Sequence, residues 1–139
     1  MLTVDNISFS YGSIRTLQQV CMEMKAGEIT CIMGRNGVGK TTLLKNIMGT
    51  LRSSHGSIQV GSDDVTSLAA HRRAKTGLGL VPQGRQIFAK LTVEENLKVG
   101  LHANPKRTTA MPGHVYEIFP VLQEMKRRMG GDLSGGQQQ

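Results

Sequence analysis

The sequence predicts an α/β fold in which an antiparallel β-layer comes before a strand, a phosphate-binding loop and a helix. Three observations carry this. Gly34-Arg35-Asn36-Gly37-Val38-Gly39-Lys40-Thr41 fits G-x-x-x-x-G-K-[ST], the P-loop pattern. An apolar run at 28–33 reads as a buried strand leading in, and 42–48 reads as a helix leading out. Two alternating segments lie ahead of the loop and belong to an added β-layer rather than to a minimal βαβ unit.

The loop's residue types make joint sense around a phosphate group. Glycines at 34, 37 and 39 let the backbone turn tightly, so that successive amides point inward where a β-carbon would hold an anion away. Arg35, Asn36 and Val38 fill the turn, Lys40 reaches the β- and γ-phosphates, and Thr41 offers a hydroxyl to a bridging Mg2+. Thr42 continues into the helix, whose N-terminus faces the anion. A glycine-rich turn that happens to hold a lysine would share the composition but not the strand and helix flanks.

Taken along the chain, Leu2, Val4, Ile7 and Phe9 mark an extended first segment that ends at the Tyr11-Gly12-Ser13 turn. Leu17, Val20, Met22 and Met24 mark a second strand, and Lys25-Ala26-Gly27-Glu28 turns the chain into the run before the P-loop. After the P-loop helix, residues 52–56 break the pattern and 57–61 form a short strand. Ser67 is the expected N-cap of a helix over 68–75 with a basic last turn. Residues 77–83 read as an apolar strand inside the sheet. Thr92-Val93-Glu94-Glu95 is a capping box that opens a helix through Val99. A looser segment over 104–113 comes next, then a helical stretch from near Val115 that Pro120 interrupts before 122–129. The division expected is 1–90 for the β-layer and P-loop core and 91–139 for a helical region, both within one domain.

Composition narrows the classes. The chain has 139 residues, 38% hydrophobic and 19% charged, which is the make-up of a globular domain rather than a disordered tract. The start has no basic n-region and no long apolar core, and no run approaches the length of a membrane-spanning helix, so a cytoplasmic protein is expected. Cys21 and Cys31 sit in strand-like alternations and read as small buried thiols. The four histidines show no zinc spacing, and no structural metal is expected. The net charge of +7 collects at Arg72-Arg73 with Lys75, at Lys106-Arg107 and at Lys126-Arg127-Arg128. No aromatic residue interleaves with these clusters as a base-stacking platform would, so nucleic acid is not the expected partner.

Leu133-Ser134-Gly135-Gly136-Gln137 is a second anion-suited arrangement, a serine hydroxyl with bare backbone amides at a helix start. Together with the P-loop it resembles the LSGGQ signature of ABC-type ATPases. The resemblance runs the length of the chain and implies a P-loop NTPase of ABC type with an antiparallel β-layer and part of the helical subdomain. It also implies ATP and Mg2+ as ligands. Tyr11 resembles the aromatic residue that stacks on adenine; without the family it is a strand-end tyrosine. Gln83 resembles the Q-loop glutamine that reaches Mg2+ and the attacking water and senses the membrane subunit; without the family it is a surface glutamine. Leu133, Ser134, Gly135, Gly136 and Gln137 would then act in trans, covering the ATP held by a second ATP-binding subunit in a head-to-tail dimer. The expected setting is the cytoplasmic face of the membrane, through transmembrane permease subunits.

Residues 81–88 followed by 91–97 look like the importers of branched-chain amino acids and urea, while Gly130-Gly131-Asp132 and Gln137-Gln138-Gln139 look more like the urea subunit. In the family a Walker B strand, ending in an aspartate for Mg2+ and a catalytic glutamate, comes after the signature. None of the ten carboxylates in this chain closes a four-residue apolar strand. An N-terminal fragment that hydrolyses ATP poorly by itself is therefore expected. Two other readings stand beside it: a non-hydrolysing nucleotide-binding or interaction module, and a soluble ABC-type ATPase that acts on ribosomes or DNA.

Overall fold

In the computed structural model, which describes residues 1–102 and 110–138, strands β1 (Leu2–Tyr11) and β2 (Ile14–Met24) form an antiparallel hairpin with Tyr11 opposite Ile14. β3 (His55–Val60) pairs antiparallel with the other edge of β1, and the two-residue β4 (Asp63–Asp64) pairs with β3, in the order β2-β1-β3-β4. The apolar spacing of β1 explains its shape. Val4 and Ile7 lie three apart, which strict alternation would send to opposite faces, yet they are 1% and 0% exposed. A register slip between them absorbs the extra residue, with Asn6 in the left-handed region at φ 51°. Asparagine tolerates that conformation better than most residues.

Helix α1 (Lys40–Ile47) lays one face on this sheet. Its buried residues Thr42, Leu43, Asn46 and Ile47 recur at helical spacing. Leu43 and Ile47 join Val4, Ile7, Leu17, Ile58 and Val65 in one core. Each such side chain contributes about 1.5–3 kcal/mol of burial. Helix α2 (Ala70–Lys75) comes after the sheet strands. Its N-cap is Ala69, which offers no side-chain cap, so the Ser67 cap and the helix start at 68 are corrected. Leu68, expected in the first turn, instead packs on the core ahead of the helix.

Contacts divide the chain into two compact units, Met1–Leu78 and Gly79–Gln139. In the second, the described elements are α3 (Val93–Leu101), α4 (Gly113–Ile118), α5 (Pro120–Glu124), a 3-10 turn at Gly130–Asp132 and α6 (Gly135–Gln138). Pro120 opens α5 as its first residue, where its missing N–H has no helical partner to lose. That helix ends at Glu124 and not near 129 as expected. The expected loose segment falls largely on 104–109, outside the described residues.

Two other expectations are overturned. Residues 28–33 and 77–83 are not strands. Ile29 is 100% exposed, Met33 86% and Val81 68%, although Ile32 and Leu78 reach the core of the first unit. A buried parallel strand exists only where neighbours supply its ladder. Among the described residues the paired strands are all antiparallel and give these runs no partner. The cysteines change for related reasons. Cys31 is exposed because its segment is unladdered. Cys21 is exposed at the β1 bulge, where its sulfur accepts the Asn6 N–H at 3.2 Å.

Candidate nucleotide-binding site

The P-loop lies between an unladdered run and a well-seated helix. Gly39 is the N-cap of α1 at φ 101°, and a Cβ there would lie 3.0 Å from both the Thr16 carbonyl oxygen and the Leu17 side chain. Glycine is therefore required twice, by conformation and by the approach of β2. The Leu43 N–H is the first to bond back, to the Gly39 carbonyl at 2.8 Å. The amides of Gly39, Lys40, Thr41 and Thr42 thus have no helical acceptor and form a donor cluster for an anion. Lys40 Nζ donates to the carbonyls of Gly34 and Arg35, both at 2.7 Å. This folds the ammonium over the loop and leaves one of its three protons for a phosphate oxygen. Arg35, Asn36, Gly37 and Val38 are exposed, and so is Thr41 on the first turn, where its hydroxyl suits a hard cation.

Tyr11 ends β1 and is 47% exposed, and its ring meets Phe9 edge-on with centroids 4.8 Å apart. Phe9 pairs across the hairpin with Leu17, the residue that touches Gly39. The hairpin carrying Tyr11 is in this way packed directly on the P-loop.

In the second unit, Gln83 is exposed in a turn that continues through Gly84, Arg85 and Gln86, all at positive φ (83°, 68° and 52°). Two non-glycine residues in the left-handed region cost on the order of 1 kcal/mol each, a strain that marks functional loops. Asn96 fixes the next stretch of chain, 88–92. Its amide nitrogen donates to the carbonyls of Phe88, Leu91 and Thr92, and its oxygen accepts the Phe88 N–H at 2.9 Å. Thr92 caps α3 with the full capping box. Glu95 takes both the Thr92 N–H and its hydroxyl, and these bonds hold its carboxyl below the ordinary range. Glu94 is lowered by its hydrogen bond and ion pair with Lys98 at 2.9 Å.

The signature segment packs on this loop. Gly130 and Gly131 donate their N–H groups to Leu91 and Ala89, and a Cβ at Gly130 would come within 3.1 Å of Ile87, Asn96 and Phe88. At the start of α6 the Ser134 carbonyl accepts the Gln138 N–H at 3.0 Å, while the Gln137 side chain accepts the Ser134 N–H at 2.9 Å. The serine side chain stays exposed, with Gly136 beside it, and Leu133 is half-buried. Arg85 Nη1 donates to Gln138 Oε1 at 3.3 Å and lies against Gly135. The structure thus brings Gln83's loop and residues 133–137 together in one unit, and Tyr11 and the P-loop together in the other. Sequence reasoning missed Asn96 and Arg85. The one signal for Asn96 was a polar residue between Val93 and Leu97 on the inward face of a capped helix.

A glycine-rich loop seated by α1 on an antiparallel layer, with Ser134 before a short helix in a separate helical unit, is the architecture of an ABC-type cassette. Residues 17–139 match the family model described as ABC transporter, and the chain belongs to that family. It is 38% identical over 140 residues to the high-affinity branched-chain amino acid transport ATP-binding protein BraG of Pseudomonas aeruginosa, covering 100% of this chain and 60% of that protein. Among solved structures, a nucleotide-free ATP-binding cassette from an ABC transporter superposes with a TM-score of 0.80 at 28% identity, covering 99% of this chain and 60% of that one. A dimeric bacterial ABC transporter cassette gives 0.78 at 25% identity, covering 99% and 65%. The fold is that of an ABC cassette, and the chain spans about three fifths of the length of these relatives.

Proposed function

We propose that this chain is the nucleotide-binding part of an ABC importer subunit, binding ATP with Mg2+ to drive uptake of a small polar solute. The observation that carries the reading is the Lys40 ammonium folded over a loop whose helix-start amides have no acceptor. Lys40 and the amides of residues 39–42 would neutralise the β- and γ-phosphates, and Tyr11 would stack on the base. In the first unit Thr41 would offer its hydroxyl to Mg2+, which supplies charge neutralisation at the phosphates when bound; Gln83, in the second unit, keeps the Mg2+ role that its resemblance to the Q-loop glutamine implies. Residues 133–137 would cover the γ-phosphate of a second subunit, a head-to-tail arrangement for which the dimeric relative offers a precedent.

The solute proposed is a branched-chain amino acid or urea. Similarity to BraG favours the former, and Gly130-Gly131-Asp132 with Gln137-Gln138-Gln139 favour the latter. A groove of about 600 Å³ beside the Gln83 loop, lined by Pro82, Phe88, Leu97 and Phe119, offers an apolar surface to a permease subunit at the cytoplasmic face of the membrane. No described helix is long and apolar enough to cross a membrane itself.

Turnover by this chain alone should be slow, since its 139 residues hold no apolar strand closed by Asp and Glu. The test is an ATP titration with and without Mg2+, run beside single-turnover hydrolysis. Magnesium-dependent binding that Lys40→Ala weakens at least about 100-fold, on the order of 3 kcal/mol, is expected, with little hydrolysis. Unchanged affinity in Lys40→Ala would remove Lys40 as the phosphate ligand. Binding indifferent to Mg2+ would favour a non-hydrolysing interaction module.

A further inference from the structure

Among the described residues of the first unit, Arg73 is the arginine buried at the core, 3% exposed, and its guanidinium bonds only to backbone. Nη1 donates to the carbonyls of Asn46 and Ile47 at 2.7 and 2.9 Å, Nη2 to that of Thr66 at 2.7 Å, and Nε to that of Leu68 at 2.9 Å. Asn46 and Ile47 are in the last turn of α1, the helix that begins at Lys40. These carbonyls have no i+4 helical donor of their own, and a cation suits that end of the helix dipole. Thr66 is tied in turn to the core strand β3, its hydroxyl accepting the Ile58 N–H at 2.8 Å.

We propose that Arg73 is a positioning residue for the phosphate site: its fork fixes the C-terminal end of α1 to β3 and α2 and so sets where the helix presents Lys40 and its free amides. An eight-residue helix is a short, stiff rod of about 12 Å, so play at one end is carried to the other. Planarity is what the site uses, because one guanidinium bonds four carbonyls from two segments, which a lysine ammonium with three protons cannot reproduce. The space is made for it: a Cβ at Gly49 would lie 2.7 Å from Arg73 Nε.

This rests on the P-loop being the ATP site, and the experiment separates the two. ATP affinity with Mg2+ and the 15N–1H shifts of the Gly39, Lys40 and Thr41 amides are measured on the whole chain for wild type, Arg73→Lys, Lys40→Ala and Met22→Ala. The last shortens a β2 side chain packed against the core, away from Thr66 and the other acceptors of the fork. Arg73→Lys should weaken ATP about tenfold and move the three amides, while Met22→Ala, at a comparable fall in unfolding midpoint, leaves both unchanged. If Lys40→Ala abolishes binding and Arg73→Lys stays within twofold of wild type, the positioning role is overturned while the site stands. If Met22→Ala weakens ATP as much as Arg73→Lys does, Arg73 is merely structural and the proposal also fails. An unaffected Lys40→Ala would overturn the site itself. Should Arg73→Lys not fold, Gly49→Ala, which displaces the guanidinium and keeps its donors, decides by the same two readouts.

Discussion

Two apolar stretches of the first unit, 2–9 and 28–33, look alike as sequence and fare differently. The first is laddered on both edges, between β2 and β3, and buries Val4 and Ile7 almost completely. The second makes no ladder, and its Ile29 is fully exposed. Strand propensity is a fit to neighbours rather than a property of the segment. The phosphate loop does not depend on the difference as much as its position after 28–33 suggests. It is held from its other side, by α1 on the sheet and by β2 against Gly39.

The contrast is broken most directly by truncating the two stretches. Ile7→Ala should cost about 2–5 kcal/mol in denaturant unfolding, and Ile29→Ala no more than about 0.5 kcal/mol. A large loss at Ile29 would show that 28–33 is paired in solution. Next in size, if the laddered hairpin presents the base-stacking face, Tyr11→Ala should weaken ATP about tenfold, in line with ~1–3 kcal/mol for one stacked base, and Tyr11→Phe should bind as wild type. Equal loss in both would point to the hydroxyl instead.

The second unit supplies smaller tests, because caps and side-chain bonds stand in there for a ladder. Thr92→Ala should cost about 1 kcal/mol through its lost cap, read as a lower unfolding midpoint. The smallest effect is in acid. The Glu95 carboxyl is held below its ordinary value by Thr92, so its contribution is present above the unfolded pKa and is lost as pH falls through the folded one. Stability of the second unit should therefore drop below about pH 4, and Glu95→Gln should flatten that part of the profile.

Legibility in the sequence tracks the range of the interactions. The P-loop and the Thr92–Glu95 box close over a few residues, so their residue types carry the geometry with them. The β1–β2 hairpin was readable too, since a short turn joins strands with matching apolar positions. Its bulge was hidden in the three-residue step from Val4 to Ile7, and with it the exposure of Cys21. Ser67 had the residue type of a cap, but Leu68 was drawn to the core and the helix began later.

Local spacing was enough to specify the glycine-rich turn into α1, the capped helix α3, the β1–β2 hairpin and the family resemblance, because each is written in residues close along the chain. Four features came from tertiary contact alone: 28–33 goes unladdered, Asn96 pins the loop after Gln83, Arg85 lies on the signature turn, and Arg73 locks the far end of the P-loop helix. Each depends on which groups come to face one side chain or one edge: the carbonyls of Phe88, Leu91 and Thr92 for Asn96, the Gln138 side chain for Arg85, carbonyls of two separate segments for Arg73, and no strand at all for 28–33. A polar side chain's partners are mostly carbonyls and amides, which every residue carries alike, so the sequence offers no letter by which to read them.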